Sequence, residues 1–142
     1  MLVKEKNNNY VVVLEVGDKI IESLTNFAIE HKLKGAVFSG IGAAKDVELG
    51  AYDLGNKDYI RKVFTETDYE LISLDGNLSL KDGTPFVHIH ASFGGHDFKV
   101  FGGHLFEATV AVTAEIYVTP IDVTPVREHN EKLGLGLICK FI

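Results

Sequence analysis

The sequence predicts an α+β domain, a mostly antiparallel β-sheet with one main helix packed on it. Three observations carry that expectation. One segment alone, ahead of Gly35, has the helical period. After it the chain is a succession of short apolar or alternating runs bounded by turn residues. Nowhere do helix and strand patterns alternate as they do in a parallel sheet.

Taken in order, Tyr10 to Val16 is β-branched and apolar and reads as a strand, and Gly17-Asp18 supplies a helix start. In "DKIIESLTNFAIEHKLKG" the residues Ile20, Ile21, Leu24, Phe27 and Ala28 recur at three- and four-residue intervals, with Glu22, Asn26, Glu30 and Lys34 opposite and Gly35 placed to end the helix. His31, late in it, is expected to be exposed near the C-terminal dipole, and Lys32 and Lys34 to form a solvated face. The runs "AVFSGIG", "VELGAYDL", "YIRKVF", "YELISLDGNLSL", "PFVHIHASF", "FKVFG", "ATVAVTAEIYVT" and "LGLICKF" read as strands. "LDGN" and "KDGT" each carry the Asp-Gly turn signal, and "DLGNKD" reads as a loop. "TPIDVTPVREHNEKLG" looks irregular, a turn or short helical piece before the last strand.

The 142 residues, 46% hydrophobic and 24% charged, suit a single folded domain spanning 1–142. A net charge of -6 and only two arginines, Arg61 and Arg127, argue against strong nucleic-acid binding by the chain alone, because phosphate contacts draw on basic side chains. One cysteine, Cys139, excludes an internal disulfide; it sits in an apolar tail, where a buried thiol is expected, and suits a reducing cytoplasm. The amino terminus has neither the length of a membrane helix nor a small-residue cleavage site, so neither export nor membrane anchoring is expected.

"GIG" at residues 40–42 lacks the third glycine and the following helix of a dinucleotide fingerprint and reads as a tight bend. Ser73 and Ser92 have no base and orienting acid at a meaningful spacing. Glu70 and Glu115 interrupt apolar strands; each either faces solvent, joins a buried pair or reaches a functional pocket. They are second-rank catalytic candidates.

"PFVHIHASFGGHDFKVFGGHL" holds four of the six histidines. His88 and His90, two apart on a strand, share a face with backbones about 7 Å apart. His104 returns on the other arm of a hairpin, and three neutral imidazoles on a sheet suit Zn²⁺ or another borderline divalent ion. The alternative is a set of hydrogen-bonded, metal-free histidines at a sheet edge or subunit contact. Parity decides between them. A two-residue turn sends His104 to the wrong face unless a bulge at Gly102-Gly103 restores it. A three-residue turn at Gly95-His96-Asp97 pairs His104 with His88 and Gly102 with His90. We therefore expect an odd-length turn or that bulge, an exposed His96, and loss of metal below about pH 6, where ordinary imidazoles take protons.

"GAVFSGIGAAKDVELGAYD", "YELISLDGNLSL", the histidine stretch and "ATVAVTAEIYV", in that order and spacing, resemble the PPC domain of plants and prokaryotes. The resemblance implies a trimeric α+β domain, a DNA-binding or regulatory role, and a metal site on His88, His90 and His104. Plant relatives carry AT-hooks, Arg-Gly-Arg-Pro segments that enter the minor groove; none of the three prolines here follows Gly-Arg. The first functional expectation is thus a homotrimeric binding or regulatory module with a divalent metal, preferentially zinc, and a protein or small-molecule partner of unknown identity. The second is a metal-dependent enzyme acting on a small polar substrate, with Glu70 or Glu115 as base. The third is direct DNA binding, weak for the isolated chain.

Overall fold

Strands dominate the computed structural model, which describes residues 1–142. They are β1 (Leu2–Lys6), β2 (Asn9–Glu15), β3 (Ala36–Asp53), β4 (Asp58–Phe64), β5 (Tyr69–Lys81), β6 (Thr84–Gly94), β7 (Val100–Pro120), β8 (Pro125–Asn130) and β9 (Leu135–Phe141). The single helix, α1 (Ile20–Glu30), lies between β2 and β3. The expected α+β class therefore holds. All pairings are antiparallel except a short parallel contact of β5 with β8 at Leu80–Val126 and Lys81–Arg127.

The pairings β3–β5, β5–β6, β6–β7 and β7–β3 form a closed circuit, so the sheet curls on itself. Its inner face holds one apolar core, with Phe38, Leu74, Ile89, Phe93 and Ile116 fully buried. Helix α1 adds Ile20, Leu24, Phe27 and Ala28 to that core and packs on β6 and β7. Burial of each large apolar side chain contributes roughly 1.5–3 kcal/mol. No helix is long and apolar enough to cross a membrane.

Several elements differ from expectation. The helix stops five residues before Gly35, at Glu30, where Lys32 takes φ 54° and Leu33 N–H donates to Ala28 O at 2.9 Å, the Schellman closure without a glycine. His31 is half-buried rather than exposed, its ring 4.3 Å from Phe27 and 5.0 Å from Tyr10. "GIG" does not end a strand: β3 continues through it, with the ladder to β5 shifting register between Gly40 and Gly42, an irregularity of the kind that bends a strand locally. "LDGN" lies inside β5 instead of at a turn, because at Gly76 a Cβ would stand 2.2 Å from His88 O of β6, and glycine is what lets the backbones approach. "KDGT" does turn, with Asp82 at φ 52° and Gly83 at φ 78°. The irregular-looking "PVREHN" is strand β8, and Cys139, on edge strand β9, is exposed. Strand β1 was not expected; it pairs with β2 across Asn7 and Asn8, both at positive φ.

Candidate metal centre

Strand β6 buries Val87, Ile89, Ala91 and Phe93, so strict alternation turns Phe86, His88, His90 and Ser92 to the outer face. On β7, Leu105 is buried and His104 therefore also points outward, directly opposite His90 in the ladder. The ring centroids lie 5.1 Å apart for His88 and His90, 5.1 Å for His88 and His104, and 5.8 Å for His90 and His104. One ligand nitrogen from each falls within 4.8 Å of the others.

The turn that joins β6 to β7 is odd in length, as parity requires, but runs through Gly95, His96, Asp97, Phe98 and Lys99. It closes with Gly95 N–H to Lys99 O at 3.2 Å and Phe98 N–H to Gly95 O at 2.9 Å. Being two residues longer than expected, it sets His104 opposite His90 instead of His88, and Gly102 opposite Ser92. The ladder has no bulge at Gly102-Gly103. Those glycines serve close approach on both sides: a Cβ at Gly102 would lie 2.6 Å from Ala91 O of β6, and one at Gly103 2.7 Å from Gly50 O of β3. His96 is exposed, near Thr67 Oγ1.

Burial is the main cause that pushes His88 and His104 down to about 4, with the charges of Arg127 and the neighbouring histidines adding to it at His88, and His90, Arg61 and Arg127 adding at His104. Both are neutral at pH 7, the state in which imidazole offers a lone pair. His104 Nδ1 is buried with no hydrogen-bond partner, an unsatisfied polar atom that a cation would satisfy. The residues present thus fit a divalent ion.

Beside His88 and His104 opens a cavity of about 210 Å³, walled also by Tyr59, Phe86, Phe106 and Arg127. No carboxylate lines it. Glu70 and Glu115 are exposed and border a separate hollow with Ile41, Ile72 and Val112, where no histidine stands. Sequence reading missed Arg127 as a site residue. On β8 it reaches Ser79 Oγ at 2.8 Å, Asn77 Oδ1 at 3.1 Å and Gly136 O at 3.1 Å, and its Nη2 donates to His88 Nδ1 at 3.0 Å. No local pattern marks it, since its neighbours come from β5, β6 and β9.

These features define a curled-sheet, one-helix domain with a three-histidine cluster at the β6–β7 seam. The chain belongs to the Plants and Prokaryotes Conserved (PCC, also written PPC) domain family, whose model matches residues 1–122. A PPC protein from Pyrococcus horikoshii is 32% identical, with TM-score 0.86 over 98% of this chain and 94% of that one. A metal-containing protein from Archaeoglobus fulgidus is 34% identical, with TM-score 0.88 and 99% of both chains covered. A candidate DNA-binding protein from Bacteroides thetaiotaomicron is 28% identical, with TM-score 0.92 over 96% of this chain and 94% of that one. No significant match occurs among curated proteins.

Proposed function

We propose that this chain is a metal-dependent binding module of the PPC family in which His88, His90 and His104 hold a divalent cation. The convergence of three imidazoles, two of them kept neutral by burial and one with an orphaned Nδ1, carries this reading. Three neutral nitrogens suit Zn²⁺, which when bound supplies a Lewis-acidic centre with room for a further ligand. The metal-containing archaeal relative supports the reading. Protein prepared without a histidine tag or chelating resin is expected to carry, or take up on titration, about one zinc per chain. The double variant His90→Ala/His104→Ala is expected to take up none. Wild-type protein that binds no divalent metal in either assay would overturn the proposal.

A binding role is favoured over hydrolysis because the cavity beside the histidines contains no carboxylate, and Glu70 and Glu115 lie in another hollow. For DNA, the structure of the arginines matters. Arg127 is recessed in a cavity too small for a duplex backbone, and Arg61, half exposed, is already paired with Glu48 at 2.7 Å and stacked on Phe106 at 3.7 Å, so the two form no arginine cluster on the surface. Duplex binding by the isolated chain should be weak and unselective. A gel-shift assay at physiological salt checks this, and tight sequence-selective binding refutes it. The proposed module is cytoplasmic, where its exposed and unpaired Cys139 stays reduced.

A further inference from the structure

Arg127 is the one charged side chain that the fold buries, at 7% exposure, and no carboxylate meets it. Its acceptors, Ser79 Oγ, Asn77 Oδ1, Gly136 O and His88 Nδ1, are all neutral. A buried cation without a counter-ion is costly, and natural proteins compensate it with an anion. This one borders a cavity with Lys81 also in its lining and no acidic residue, in a chain of net charge -6. Phe86, Phe106, Leu135 and Leu137 form its apolar walls.

The hydrogen bond from Arg127 to His88 adds a second constraint. Guanidinium only donates, so His88 Nδ1 must present its lone pair to Nη2. A metal bound at Nδ1 takes that lone pair. A metal bound at Nε2 obliges the neutral ring to carry its proton on Nδ1, facing a donor. Either way metal loading breaks the bond and frees an Nη2 hydrogen. Arg127 has five N–H donors and makes four protein hydrogen bonds, so the loaded state leaves two without an acceptor.

We propose that the cavity between Arg127 and the histidine cluster binds a small carboxylate with a compact apolar body, the anion supplying the counter-charge that the fold withholds. The coupling rests on the metal reading above: metal frees Arg127 donors for the carboxylate, and by linkage the carboxylate tightens the metal. Carboxylate is the acceptor whose paired oxygens match guanidinium donors.

Calorimetric titration with benzoate as probe tests this on the whole protein, metal-free and zinc-loaded. Benzoate is expected to bind the zinc-loaded chain and to tighten zinc about fivefold or more, with Arg127→Met retaining zinc and losing the benzoate effect. If zinc binds but benzoate neither binds nor changes its affinity, the anion site is overturned and the metal reading stands. An undiminished benzoate effect in Arg127→Met also overturns it, because the anion then senses the metal alone. If zinc does not bind, the metal reading falls, and benzoate titration of the metal-free chain decides the anion site. Arg127-dependent binding keeps it, and no binding removes it. Should circular dichroism show Arg127→Met unfolded, Lys81→Met at the exposed rim replaces it: weaker benzoate binding supports the site, and unchanged binding overturns it.

Discussion

At the scale of the residue, burial alters what the histidines do with protons. The expectation that metal is lost below about pH 6 assumes ordinary imidazoles, whereas His88 and His104 lie at about 4, so at these two ligands proton competition begins later. The sign for the metal-free chain is definite. Above the usual value of 6.5 both groups are neutral in the folded and unfolded states and cost nothing. As pH falls from 6.5 to about 4 the unfolded chain takes protons that the folded one refuses, so stability drops, and the loss is complete below about 4. Urea midpoints of chelator-treated protein should therefore fall more between about pH 7.5 and about pH 5 for the wild type than for His88→Gln/His104→Gln. Equal falls would show that the fold does not hold these rings neutral.

At the scale of the element, register belongs to the core more than to the turn. Hairpin parity correctly required an odd turn, but His104 faces outward also because Leu105 is buried and β7 is paired with β3 at Gly50–His104 and Leu49–Leu105. The turn residues His96, Asp97, Phe98 and Lys99 are exposed. One glycine inserted between His96 and Asp97 should be absorbed there, leaving zinc stoichiometry unchanged, because a slipped β7 would expose its whole apolar set. Metal analysis of the insertion variant that finds no zinc would assign the register to the turn after all. The helix start shows the same division of labour. Lys19 caps with no side-chain bond, and Glu107 of β7 instead accepts from Ile21 N–H at 2.8 Å and Glu22 N–H at 3.1 Å. A local reading centred on Gly17-Asp18 finds the start but not the carboxylate that satisfies it.

At the scale of the whole molecule, the curled sheet covers its inner face and leaves part of the outer one bare. Ile41, Val112 and Tyr117 are 57%, 65% and 60% exposed on β3 and β7, beside Ile72 of β5. Such a face suits burial against copies of the same chain, and we propose the homotrimer that the family resemblance leads us to expect. Light scattering at micromolar concentration should give a mass near three times 15.6 kDa, and Val112→Glu should shift it toward the single chain. A wild-type mass of one chain refutes the assembly.

Much of this protein is local and was legible as such. The period of Ile20, Leu24, Phe27 and Ala28 set the helix, and alternation along "PFVHIHASF" set the face shared by His88 and His90, because side-chain direction in a helix or strand follows from backbone geometry alone. The family was legible in the order and spacing of the motifs, and the family model agrees. Only the tertiary structure decided where one long strand replaces two short runs, that Asp75-Gly76 continues a strand where the dipeptide alone predicts a turn, and that Glu107 caps the helix. It likewise brought Arg127 to His88 and carried Glu70 and Glu115 away from the histidines. The physical reason is common to all of these: backbone approach, burial of a charge and contact between strands distant in sequence depend on the closed circuit of the sheet, which no window of neighbouring residues contains.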